Sequence, residues 1–164
     1  DIVVNGVDVT EEREKTFDFS DPYAYDHIDL VTLKDNTDIT SFDDLKGKKT
    51  ANSTGSTYAE MGEQYGAEVS NVPTLAETMT LVLNGTVDAT INADTSVQDY
   101  LHTTGETNLK VAVQSDDVTE YAIPMKKGSD SLKEAVDKAL QEMRDDGTLA
   151  QLSEKYFGAD LTNK

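Results

Sequence analysis

Apolar positions along the chain follow two recurrent patterns. Short β-rich runs occupy residues 2–7, 28–33, 49–52, 87–92, 109–113 and 121–125. Between several of them the apolar residues recur at helical spacing. Leu75, Met79, Val82 and Leu83 follow a Thr74/Glu77 pair spaced as a capping box and stop at Gly85. Leu132, Ala135, Val136, Ala139, Leu140 and Met143 form an i, i+3, i+4, i+7 stripe that Gly147 closes. Thr148 and Gln151 are then expected to cap a last helix carrying Leu149, Leu152, Tyr156 and Phe157 and ending at Gly158. A shorter helix is expected between Ser41, with Asp44 three residues on, and Gly47. Strands alternating with helices predict an α/β architecture with mainly parallel strands.

Two segments, 26–35 and 119–128, flank a compact αβ stretch. They are candidates for two crossings between a pair of lobes, and Pro124 suits an edge or crossing strand better than a central one. The 164 residues are enough for one substantial core or two small lobes. Asp1 stands where an initiator Met would, and "DIVVNGV" reads like the middle of a fold, with a buried strand expected from residue 2.

Composition narrows the function classes. A net charge of -18 argues against nucleic acid or an anionic membrane as partner, since both are polyanions. No Cys is present, which closes disulfide and Cys–metal chemistry, and no apolar run approaches the ~20 residues of a membrane span. His27 and His102 stand apart without metal-ligand spacing, and no Ser sits in a G-x-S-x-G elbow. The acid pairs 43–44, 116–117 and 145–146 fall at expected helix or loop ends and read as solvated. No cofactor, metal or catalytic group is expected.

Three stretches carry candidate binding chemistry. In "VTEEREKTFDFSDPY", Arg13 is a lone cation among acids. It either pairs on a helix surface with Glu11 or Glu12, or presents its planar guanidinium fork to a carboxylate, which Lys cannot reproduce. In "NSTGSTYAE" a strand-like run leads through small hydroxylic residues into a helix start, either an ordinary cap or an anion site made of backbone N–H groups. The Gly-Lys-Ser/Thr ending of a phosphate-binding loop is absent. In "VDATINAD" a strand ends at Asn92, Ala93 and Asp94. There Asp94 is either a turn residue or an acid able to neutralise an ammonium at the mouth of a crevice.

Together with "FDDLKGKKTANSTGSTYAE", "LNGTVDATINAD" and "LKEAVDKALQEMRDDGTLAQLSEKYFG", these stretches resemble, in this order and over almost the whole chain, the solute-binding proteins of polar amino-acid ABC transporters. "DATINAD" and "LSEKYFGADLT" resemble most the cystine-type branch. The resemblance implies a periplasmic-binding-protein type II fold: two α/β lobes joined by two crossing strands, with an amino acid in the cleft. It places residues 1–30 and 121–164 in lobe one and 31–120 in lobe two. It also implies that lobe one is incomplete, because the family's lobe one begins well before this chain does.

Residue by residue, Arg13 matches the family Arg that grips the ligand α-carboxylate. Asn5, Gly6 and Asp8 match positions whose carbonyls and side chains meet the ammonium or backbone of the ligand. Ser53, Ser56 and Thr57 match the lobe-two loop completing the carboxylate site. The family's ammonium-pairing Asp, set by the register of Asn92, would fall on Ala93. Either Asp94 still reaches, or Asp8 takes the role. Phe17 and Phe19 are expected to alternate toward the core, with Pro22 setting the next turn. The implied function is extracytoplasmic binding of a polar amino acid, cystine included, and its delivery to a membrane permease by cleft closure. The implied location is the periplasm or the surface of a Gram-positive cell as a lipoprotein. An uncovered lobe one predicts a homodimer. Two alternatives remain: a dehydratase on the same fold, using Asp94 or Asp8 as a proton-transferring acid, and a ligand-binding sensory module.

Overall fold

The computed structural model describes residues 2–163; Asp1 and Lys164, the outer limits of the expected lobe one, lie outside the described residues. In chain order the elements are β1 (Val7–Asp8), α1 (Glu11–Glu14), β2 (Phe17–Phe19), β3 (Ala24–Asp26), β4 (Ile28–Leu33), a 3-10 turn (Phe42–Leu45), β5 (Lys49–Ser53) and α2 (Thr57–Gln64). They continue with β6 (Glu68–Val72), α3 (Leu75–Leu83), β7 (Ala89–Ala93), α4 (Asp94–Thr104), β8 (Leu109–Gln114), β9 (Thr119–Ala122), β10 (Pro124–Lys126), α5 (Asp130–Asp145) and α6 (Thr148–Phe157). The chain divides into two compact units, one of Asp1–Asp26 with Val118–Lys164, the other of His27–Asp117.

The continuous unit is built on a five-stranded sheet in the order β6-β5-β7-β4-β8. β5 runs parallel to β6 and β7, while β4 is antiparallel to both β7 and β8, so four strands point one way and β4 alone is reversed. Strand alternation sends neighbouring side chains to opposite faces. Val31 and Ala51 meet Met79, Val82 and Val97 of α3 and α4 on one face. Leu30, Ala89 and Ile91 meet Leu45, with Tyr58, Met61 and Tyr65 of the α2 segment at the margin, on the other. Leu30, Val31, Ile91, Met79, Val82 and Val97 are fully buried. Each such side chain contributes about 1.5–3 kcal/mol of transfer free energy. Gly62 lets α2 sit down on the sheet, because a Cβ there would come within 3.1 Å of Val69 Cγ2 and 3.3 Å of Thr50 Oγ1.

The discontinuous unit has shorter ladders, all antiparallel among the described residues. β9 lies between β1 and β3, and β10 pairs with β2. Helices α5 and α6 pack together around Ile123, Leu140 and Leu149. Arg144 anchors the tail, its Nη1 donating to the Thr162 carbonyl (2.6 Å) and its Nη2 to that of Pro22 (2.8 Å).

Several local expectations need correction. The run at 2–7 is a strand only at Val7–Asp8; Ile2 makes a single antiparallel bridge to Met125. Ile2, Val3 and Val4 are 42%, 53% and 61% exposed rather than buried. Phe19 is in the core but Phe17, on the same strand face, is 43% exposed, because that face runs out into an open groove. Helix α6 is capped by Gly147 in the left-handed conformation (φ 77°), not by Thr148, whose N–H donates instead to Asp146 Oδ1 (2.8 Å). Thr74 does cap α3, its Oγ1 accepting from the Glu77 N–H (3.3 Å). Helix α4 was not foreseen. Its segment "DTSVQDYLHTT" is rich in Thr, Ser and Asp, which are poor helix formers, and only Val97, Tyr100 and Leu101 mark its buried stripe. β2, β3 and β6 were likewise too short or too polar to be read without their partners.

In the acid pair 43–44, Asp44 is not merely solvated. One Asp44 carboxylate oxygen accepts from the N–H groups of Thr40 and Ser41, both at 2.9 Å, and from both hydroxyls at 3.1 Å. The Thr40 N–H, followed by the Ser41 and Thr40 hydroxyls, holds this carboxyl below the ordinary value of 3.8. A depressed folded-state pKa stabilises the fold above the unfolded value, and that contribution is lost as pH falls through the folded one. Asp44→Ala is therefore expected to lower the melting temperature by a constant amount at neutral pH. The gap to wild type should close as the solution is acidified below pH ~4. A gap that persists unchanged at pH 2 in thermal melts refutes the capping role.

Candidate functional site

The order β6-β5-β7 means that the chain leaves β5 through α2 to a strand on one side and returns through α3 to a strand on the other. Such a reversal opens a crevice beyond the carboxyl ends of the two central strands, the usual place for a ligand in an open α/β sheet. The junction here is thinly paired. β5 and β7 share one backbone register pair, Thr50 with Ala89. Beyond it side chains take over: Thr90 Oγ1 donates to the Ala51 carbonyl (2.7 Å) and Asn52 Nδ2 to the Ile91 carbonyl (2.8 Å).

Past Asn52, β5 ends at Ser53 and the chain turns through Gly55 at φ 70°, which a side chain would strain. Ser56 is the N-cap of α2, its Oγ accepting from the Ala59 N–H (3.2 Å), and Thr57 is the first helical residue. The adjacent β7 ends at Asn92–Ala93. Asn92 Oδ1 accepts from the Ala93 N–H (2.9 Å). Asp94, read either as a turn residue or as an acid at the crevice mouth, is the first residue of α4; its Oδ1 accepts from Gln98 Nε2 (2.9 Å) and its N–H donates to the His27 carbonyl (2.9 Å). By register, the start of β4 and the end of β8 lie at this same sheet edge. There His27 Nδ1 stands 2.8 Å from the Ser115 carbonyl and the Ile28 N–H donates to Ser115 Oγ (2.9 Å). Ser53, Ser56, Thr57, Asn92 and Asp94 thus share one edge of one sheet.

The other unit holds Asn5, Gly6, Asp8 and Arg13. Arg13 sits in the single turn of α1, capped by Thr10, whose Oγ1 accepts the Arg13 N–H (3.3 Å). Its partner is neither Glu11 nor Glu12. Arg13 Nη1 donates to the Asp8 carbonyl (3.0 Å) and to Asp8 Oδ1 (2.6 Å), the side chains being 33% and 16% exposed. Gly6, at φ 52°, donates its N–H to the Tyr23 hydroxyl (3.1 Å), and Asn5 is exposed beside it. Arg13 borders an open groove of about 620 Å³ with Val3, Val7, Thr16, Phe17, Phe19, Pro124, Met125 and Lys126, and no acid is among the described lining residues.

Three contributors escaped the sequence reading. Asn52 stood first in a stretch read for its hydroxyls, Tyr23 was assigned to scaffold, and the His27–Ser115 contact joins residues 88 apart. Among the described residues no group of three or more His, Cys, Asp or Glu could hold a metal ion, and no helix is long and apolar enough to cross a membrane.

Comparison with known proteins places these residues in context. The bacterial extracellular solute-binding proteins, family 3, match residues 1–159. The L-cystine-binding protein TcyA of Bacillus subtilis is 40% identical over 99% of this chain and 60% of its own length. The chain thus spans about 60% of the length of this curated relative. Among solved structures, the unliganded open L-cystine receptor of Neisseria gonorrhoeae is 35% identical at a TM-score of 0.69, covering 100% of this chain and 70% of its own. An ancestral arginine-binding protein bound to arginine is 34% identical at a TM-score of 0.87, covering 96% and 71%.

Asn52 is 1% exposed, so its truncation leaves the Ile91 carbonyl buried without its donor. Asn52→Ala is expected to cost about 1–3 kcal/mol in urea unfolding. A loss below about 0.5 kcal/mol shows that the β5–β7 junction holds without the side-chain bridge.

Proposed function

The chain belongs to the bacterial extracellular solute-binding proteins of family 3, and on that premise we propose that it binds a polar amino acid, with L-cystine the first candidate. The observation that carries the reading is Arg13: a guanidinium tethered through one nitrogen, beside a groove with no acid among its described lining residues, in a chain of net charge -18. In so acidic a protein a cation held by one acid through a single nitrogen keeps its other guanidinium edge for a carboxylate ligand. Cystine is favoured because TcyA bears that name.

In this reading Arg13 takes the ligand α-carboxylate and Asn5, Gly6 and Asp8 lie about its backbone. Ser53, Ser56 and Thr57 complete the carboxylate site, and Asn92 with Asp94 lies toward the ammonium. The first unit serves as lobe one and the second as lobe two. Ligand contacts complete only in a closed form shift the open–closed equilibrium, and the closed form delivers its amino acid to the permease of an ABC transporter. Nothing is made or broken, in keeping with relatives that are named as binding proteins. The site of action is extracytoplasmic, in the periplasm or at the surface of a Gram-positive cell as a lipoprotein.

We further propose that the chain self-associates through its first unit. All seven large apolar residues exposed among the described residues fall there: Ile2, Val3, Val4, Phe17, Leu152, Tyr156 and Phe157. Large exposed apolar side chains concentrated in one unit favour association. Light scattering is expected to report a dimer; a monodisperse 17.9 kDa monomer overturns this proposal.

A thermal-shift screen against the common amino acids plus L-cystine is expected to single out one ligand class. Micromolar binding is worth about -8 kcal/mol, and removing one partner of a desolvated charge pair costs ~2–5 kcal/mol. Arg13→Ala should therefore weaken binding at least tenfold. A change of less than threefold by calorimetry shows that Arg13 does not hold the ligand.

A further inference from the structure

Resting on the reading of Arg13 as a carboxylate receptor, we propose that Asp8 acts as the positioning residue for its guanidinium, and not as the acceptor of a ligand ammonium. Both hydrogen bonds of the pair use one nitrogen. Nη1 donates to the Asp8 carbonyl and to Asp8 Oδ1, at 3.0 and 2.6 Å. Among the described residues, Nε and Nη2 of Arg13 donate no hydrogen bond. These two form the other edge of the planar fork, the edge whose parallel N–H groups match the two oxygens of a carboxylate.

An Arg side chain has four rotatable bonds and loses up to about 2 kcal/mol of rotamer freedom when fixed. Here that cost is met before any ligand arrives. The backbone of α1 is set by the Thr10 cap, and the far end of the side chain by two acceptors of one residue five positions earlier. The carbonyl is held in turn by the backbone, since Asp8 lies in β1 opposite Tyr121. Asp8 is only 16% exposed, so its carboxylate is partly withdrawn from water and needs the cation it holds. Among the described residues the neighbouring groove brings no second acid to the free edge, its charged lining residues being Arg13 and Lys126.

The two roles for Asp8 predict different ligand dependence. An ammonium acceptor matters only to ligands that carry an ammonium. A positioning residue matters to every ligand that carries the carboxylate. The probes are L-cystine, 3,3′-dithiodipropionate, which lacks both ammonium groups, and cystamine, which lacks both carboxylates. Calorimetry on wild type, Asp8→Ala and Asp8→Asn is expected to show at least a tenfold loss in Asp8→Ala for L-cystine and dithiodipropionate alike. Cystamine should be unchanged, and Asp8→Asn, which keeps an acceptor oxygen, should restore affinity to within about threefold. A loss confined to L-cystine, or no loss, overturns the proposal.

A second measurement needs no ligand. The heteronuclear NOE of the Arg13 Nε–H is expected to fall in Asp8→Ala and to recover in Asp8→Asn, with the melting temperature checking that each variant folds. An Arg13 side chain as ordered in Asp8→Ala as in wild type overturns the proposal even if no amino acid binds. Absence of L-cystine binding with the NOE change present removes the cystine reading and leaves the positioning role standing.

Discussion

The larger sheet hangs on the junction between β5 and β7, where the direction of travel through the sheet reverses. A parallel pair would ordinarily knit itself with evenly spaced backbone bonds. This one has a single backbone register pair, and two buried side chains, Thr90 and Asn52, carry the connection onward. Beyond the register pair, each of these side chains reaches from its own strand to a backbone carbonyl of the other. Past these bridges lies the edge that carries Ser53, Ser56, Thr57, Asn92 and Asp94. The weakest seam of the ladder and the candidate ligand edge coincide because both follow from the same topology.

The second organising contact, between Asp8 and Arg13, is of another kind. In a chain with 32 acids and 14 Lys and Arg, most cations are expected to find an anion on the surface. Exposed pairs such as Lys15 with Glu12 do so and contribute little. Arg13 differs in being bound at one nitrogen only, by an acid that also offers its backbone carbonyl. The pair therefore works less as a tether than as an aiming device, leaving the remaining face of the guanidinium beside a groove with no acid among its described lining residues.

The two units are unequally finished. The five-stranded sheet is covered on both faces, and none of the exposed large apolar residues belongs to it. The other unit pairs its strands in ladders of two or three residue pairs and leaves Ile2–Val4, Phe17 and, on α6, Leu152, Tyr156 and Phe157 to solvent. Short antiparallel ladders with an open apolar face are marginal alone. Helices α5 and α6 and the Arg144 anchor hold this unit together.

Periodicity was enough to locate α3, α5, α6, β4, β5 and β8, since each buries a stripe or run that water would otherwise meet. It also found Arg13 and the Ser53–Thr57 turn, because a lone cation among acids and a hydroxyl-rich strand-to-helix turn are local features. What it missed depends on partners distant in the chain. β2 and β3 are three residues each and exist only against β10 and β9, a hundred positions or so away. The fate of Phe17 rested on what lies opposite its face, and that of Asp94 on a helix whose stability comes from Val97 against the sheet rather than from propensity. Local sequence was enough to mark Arg13 and the Ser53–Thr57 turn as candidates. Only the tertiary structure decided that Arg13 answers to Asp8 rather than to its helical neighbours, because a guanidinium follows the acceptors that the backbone brings within 3 Å, not the nearest acids in the chain.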